Sequence, residues 1–103
     1  MIAKRIKAVI TNIGNNHVVT HSDVKILKGE HRLIRKLIIK YKSIGMRPIG
    51  IKLFEFMREL GYFINELMKY EGQELKDHDW IKIVSTLRFF EEHVEIIEKE
   101  IKK

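Results

Sequence analysis

The stretch Ile51–Tyr70, IKLFEFMRELGYFINELMKY, decides the reading of this chain. At 100° per residue, Leu53, Met57, Leu60, Ile64 and Leu67 fall on one line of a helix. Phe54 and Met68 extend that line on one side, and Phe56, Phe63 and Tyr70 on the other. The apolar arc spans roughly 200°, twice the stripe of an ordinary surface helix. A helix this wide is expected to touch neighbours on two sides, in the middle of a bundle. Its polar face reads Glu55, Arg58, Glu59, Tyr62, Asn65, Glu66 and Lys69, with Glu55–Arg58 and Glu66–Lys69 as candidate pairs. Gly61 lies at the edge of the apolar arc and costs about 1 kcal/mol against Ala. It implies either close approach of another backbone or a break in the helix.

Working outward, Val24 to Ile44 carries the cleanest amphipathic pattern. Leu27, His31, Ile34, Leu37, Ile38 and Tyr41 share one face. Lys25, Lys28, Arg32, Arg35, Lys36, Lys40 and Lys42 occupy an opposite arc of roughly 160°. Thr20 or Ser22 can cap this helix, with Asp23 in its first turn. Gly29 could delay its start to Glu30. Gly45-Met46-Arg47-Pro48 ends it, since glycine caps and proline disfavours helix at Arg47. Pro48 can open the next helix, although Gly50 blurs its start.

The last helix is expected from Asp77 or Asp79 as cap. Trp80, Ile83, Leu87, Phe90, Val94, Ile97 and Ile101 repeat at alternating steps of three and four, a seven-residue pattern. Phe89 and Ile96 form a second apolar stripe on its back, a candidate oligomer contact.

The first twenty residues admit two readings. Ile2, Ile6, Val9, Ile10 and Ile13 share a helical face, and Gly14 would then cap a helix over 2–13. Alternatively, the β-branched VIT and HVVT segments would pair as a hairpin about GNN. The helix is preferred. The expected fold is therefore mainly α, a small four-helix bundle over 2–13, 22–44, 50–71 and 78–102 in a single domain. A β-hairpin in place of the first helix is the open alternative. Short connections make successive helices antiparallel.

Composition narrows the function. The chain of 103 residues is 45% hydrophobic and 33% charged, which is globular rather than disordered. The absence of cysteine removes disulfide and thiolate chemistry and favours a reducing, cytoplasmic setting. The start lacks the uninterrupted apolar core of a signal peptide, and no run approaches the ~20 apolar residues of a membrane span. Richness in Ile, Lys and Glu with a single Gln is the composition of thermophiles or of AT-rich genomes.

Charge is unevenly placed. Residues 1–52 hold 12 Lys+Arg against 2 acids, and residues 53–103 hold 8 against 12. The first half thus carries +10 and the second −4, which points the first half at an acidic partner, unless the halves neutralise each other.

The one-sided basic arc is the strongest functional signal. Lys25, Lys28, Arg32, Arg35, Lys36 and Lys40 can follow a phosphate backbone, each contact releasing condensed counterions. Arg32 and Arg35 could reach guanine edges. No aromatic interleaves with these cations along the helix, so the pattern alone offers no stacking platform for single strands. Helix 30–44, the Gly45-Met46-Arg47-Pro48 turn and the helix after it resemble the winged-helix repressors, where a similar turn occurs. The helix that would enter the groove carries Glu66 and Glu71 against Lys69 alone, and would be repelled by phosphates. The family is not assigned on that turn.

Other chemistries lack residues. His17 with His21, and Asp77-His78-Asp79, are the compact clusters of metal-ligating types, but no cysteine accompanies them. His31 reads as a core histidine and His93 as a solvent-facing one. There is no P-loop, dinucleotide turn, nucleophile elbow or HExxH. No catalytic residue, metal or cofactor is expected. The expected function is nucleic-acid binding or regulation through the cationic face of helix 22–44. The alternative is a non-catalytic protein-interaction module that docks on an acidic protein surface or forms a homodimer.

Overall fold

The structure, a computed structural model, describes residues 2–102. Four helices follow one another: α1 Ile2–Asn16, α2 His21–Ser43, α3 Arg47–Met68 and α4 Asp77–Ile101. The first segment is helix, not hairpin. α1 packs on α4 and α2, and α3 packs on α2 and α4, so the helices occupy the corners of a square. α3 is therefore one corner of the bundle and not its middle. Its arc is wide because two neighbours take one part of it, while Ile51, Phe54 and Met68 stay in solvent.

The core is a single cluster to which all four helices contribute, with Ile6, Val9, Leu27, Ile34, Leu60, Leu87 and Val94 at 0% exposure. These residues recur at helical spacing, and burying them supplies most of the helix stability that propensity alone cannot. Antiparallel order is visible at the end of the bundle where α4 finishes. The Glu98 carboxylate near the end of α4 accepts from the Ile2 and Ala3 amides that open α1, at 3.3 and 3.0 Å. Lys52 of early α3 pairs with Glu100 of late α4 at 2.9 Å.

The caps depart from expectation in three places. Gly14 lies inside α1, and the left-handed residue that ends this helix is His17, at φ 55°. Its ring stacks on Trp80 at 4.7 Å, and its carbonyl accepts from the Leu75 amide at 2.8 Å. These tertiary contacts hold a backbone conformation that a non-glycine residue rarely takes. α4 begins after Lys76, with Asp77 and Asp79 inside its first turn instead of at the cap. There they complement the positive end of the helix dipole. α3 runs from Arg47 unbroken through Gly50 and Gly61.

Two caps follow the expected residues. Thr20 and Asp23 form a reciprocal capping box at the start of α2, and Gly29 does not interrupt it. After α2, the Met46 amide donates to the Tyr41 carbonyl and the Gly45 amide to Lys42, with Gly45 at φ 80°. That is the doubly bonded left-handed glycine stop, and it folds α3 straight back onto α2.

The valines that suggested a strand do find extended partners. Val18 and Val19 bridge to Glu74 and Glu71 in the α3–α4 connection, not to the VIT segment.

Candidate nucleic-acid interface

Lys25, Lys28, Arg32, Arg35, Lys36 and Lys40 all lie exposed on the outer side of α2. None of them forms an ion pair among the described residues. The acids of the second half pair elsewhere: Glu71 with His21, Glu100 with Lys52, Glu66 with Lys69 and Glu95 with Lys99. The charge asymmetry is thus not cancelled across the α2 surface. The expected Glu66–Lys69 pair is present at 3.2 Å, and Glu55–Arg58 is not.

α2 forms a crest between two grooves. On the α1 side, Lys25, Arg32 and Lys36 line a depression of about 530 Å³ with Arg5 and the buried Glu30. On the α3 side, Lys28 and Arg32 line a cleft of about 470 Å³ with His31, Arg58, Tyr62 and Asn65. A second cleft of about 380 Å³ continues along the same seam, lined by Lys42, Arg47, Arg58 and Phe54 among others. Arg58 borders both. Arg35 stands near enough to His31 to disfavour a charged imidazole, and Lys40 sits 5.8 Å above the Tyr41 ring.

Aromatic side chains therefore do accompany the cations, but they come from α3. Tyr62 and Phe54 are 63% and 50% exposed beside this groove. Arg47 and Arg58, absent from the candidate set, complete its rim. The sequence assigned Arg58 and Tyr62 to a polar face and Phe54 to an apolar arc, with nothing to say that this edge of α3 faces the basic arc.

Gly61 is explained by the same cleft. A Cβ there would lie 3.2 Å from Nε2 of His31. What approaches is a side chain, not a backbone, and the helix does not break. His31 is half-buried, and burial is the main force that holds its pKa below the ordinary value, with Arg35 adding to it and a backbone hydrogen bond at Met57 opposing.

A second unforeseen group is Glu30, the one acid of α2 beyond its capping residue Asp23. It lies almost wholly buried, with Oε1 3.3 Å from Arg5 Nε and Oε2 without a partner. Burial pushes its carboxyl above the usual range, and Arg5 opposes that shift. A lone acid flanked by Leu27 and Ile34 at spacings of three and four was the available signal.

Phe89 and Ile96 stay 63% and 58% exposed on α4. His93, expected in solvent, is half-buried and sits edge-on to Phe56 at 5.6 Å and near Phe89 at 6.0 Å. The other histidines are dispersed: His17 stacks on Trp80, and His21 pairs with Glu71. No group of three or more metal-ligating side chains comes together among the described residues. No helix among them is long and apolar enough to cross a membrane. No known protein family, curated protein or solved structure matches this chain.

Proposed function

We propose that this protein binds nucleic acid, in a regulatory role, through the cationic face of α2. The observation that carries the reading is the crest itself: six exposed Lys and Arg side chains on one helix face, none paired with an acid among the described residues. Cations left unneutralised by their own fold are suited to displacing the counterions condensed on a phosphate backbone. The test is a salt titration of nucleic-acid affinity. Affinity should fall steeply with salt, and Lys28/Arg32/Arg35/Lys36→Ala should flatten the log–log slope by about 3, at roughly 0.7–0.9 per phosphate contact. An affinity indifferent to salt, or to those four substitutions, would overturn the reading.

A second, non-catalytic reading has its own support in Phe89 and Ile96, seven residues apart and both more than half exposed. Large apolar side chains at that spacing suit a helix–helix contact in a homodimer or with another protein. Under this reading the mass measured by light scattering rises with concentration, and Phe89→Glu returns it to that of the monomer.

A further inference from the structure

The groove between α2 and α3 combines three properties, of which the crest of α2 has only the positive charge. It is concave, its rim is cationic, and two aromatic rings stand in it without ring partners of their own. Phe54, Arg58 and Tyr62 follow one another at steps of four along α3 and so form a single ridge. Neither Phe54 nor Tyr62 packs on another aromatic ring among the described residues. Opposite them, α2 supplies Lys28, Arg32 and Lys42. Glu55 is the one acid on the lining, against five cations when Arg47 and Arg58 are counted. From Lys28 to Lys42 the groove follows about 21 Å of α2 at 1.5 Å per residue.

We propose that this groove is a track for single-stranded nucleic acid, with phosphates held by Lys28, Arg32 and Arg58 and bases stacked on Tyr62 and Phe54. The proposal rests on the nucleic-acid reading above and narrows it to a strand class. In a duplex the base faces are already stacked on one another, so a duplex can meet the cations of the crest but offers the rings no free π-face. A single strand offers every base face, and base–aromatic stacking tolerates any sequence. The two rings lie about 12 Å apart along α3. That is several times the 3.4 Å rise of stacked bases, so each ring takes its own base and does not sandwich a shared one. Arg58, midway between them, is placed for the intervening phosphate. The apolar floor of Met57 and Ile64 beneath the cleft suits the edge of a base, and Gly61 keeps the space beside Tyr62 clear of any side chain but His31.

The experiment measures anisotropy of labelled oligothymidylate and oligouridylate, each long enough to span the groove, against a duplex of equal length. The full chain should bind at least one of the single strands more tightly than the duplex. Tyr62→Ala should weaken that binding by roughly 5- to 150-fold, the range of one lost base stack. Its salt slope and duplex affinity should not change, and Tyr62→Phe should restore binding. Phe54→Ala should act in the same way. Both rings are exposed, so the variants should keep the helical content of the parent, as circular dichroism will report. Equal affinity for single strand and duplex, or Tyr62→Ala and Phe54→Ala binding as the parent does, would overturn the track and leave the crest of α2 standing. Failure of every nucleic acid to bind at low salt would remove both.

Discussion

The α1–α4 seam and the α2–α3 seam are built from the same kinds of residue and end in different states. The first is closed at both ends by polar groups that find partners across it. Glu98 takes the free amides of Ile2 and Ala3, and the Trp80 indole donates to the Ile13 carbonyl at 3.1 Å. Helix termini leave unsatisfied amides and carbonyls, and here the facing helix satisfies them. The α2–α3 seam is closed at its two ends, by the Gly45 turn at one and at the other by the His21–Glu71 pair and the Gly72 amide on the Val19 carbonyl, but it stays open along its length. Between those ends no ion pair joins α2 to α3 among the described residues, and the lining carries Lys28, Arg32, Lys42, Arg47 and Arg58 against Glu55 alone. A seam held by apolar contact beneath and cations above retains polar valence for something outside the molecule. The difference sets a seam whose polar groups are satisfied within the fold apart from the seam proposed above as the binding side.

The comparison breaks most visibly in the core of the closed seam. Ile6→Ala, at a fully buried position of α1, should cost about 2–5 kcal/mol. Arg58→Ala on the open rim should stay within about 0.5 kcal/mol of the parent. Denaturant midpoints with unchanged slopes would report both. A large cost at Arg58 would mean that the rim is structural and not reserved.

A smaller effect sharpens the account of the open seam. Gly61→Ala removes a helix penalty of about 1 kcal/mol, but its Cβ meets the His31 ring at 3.2 Å. In a His31→Ala background the alanine should stabilise by about 1 kcal/mol, and by less in the parent. A double-mutant cycle reads the difference. Equal gains in both backgrounds would show that the ring does not hold the glycine in place.

The smallest effect concerns pH. Burial and Arg35 lower the His31 pKa below its ordinary 6.5. The folded state therefore binds this proton less readily than the unfolded state does. The stability contributed by neutral His31 is present above pH 6.5 and is lost as pH falls through the lower folded value. Replacing His31 with Gln should flatten the thermal midpoint against pH below 6.5, by less than the Gly61 effect. A parallel curve for the variant would assign the acid sensitivity to another group.

Legibility followed the range of the interaction. The four helices and their buried faces were readable because burial repeats at the helix's own period, which is local. The basic arc of α2 was readable for the same reason, as were the exposed Phe89 and Ile96. The Thr20–Asp23 cap and the Gly45 stop were also within reach, being contacts three to five residues apart. Gly14 misled because the true end of α1, His17, is held by Trp80, sixty-three positions away. HVVT suggested a strand, and Val18 to Thr20 do adopt extended backbone, but the partner of the two valines lies beyond two intervening helices. Arg58, Tyr62 and Phe54 were assigned to the wrong company because a helical wheel gives angles within a helix and nothing about which neighbour each angle faces.

By itself, then, the chain's order of residues determined what is buried, what is charged and where each helix turns its apolar side, since those depend on periodicity and short-range capping. Only the packed structure decided that the aromatic edge of α3 shares a groove with the cations of α2, and that His31 occupies the notch at Gly61. Those juxtapositions depend on which helices become neighbours and at what rotation. That choice is made by the summed fit of all four faces at once, which no single stretch of the chain contains.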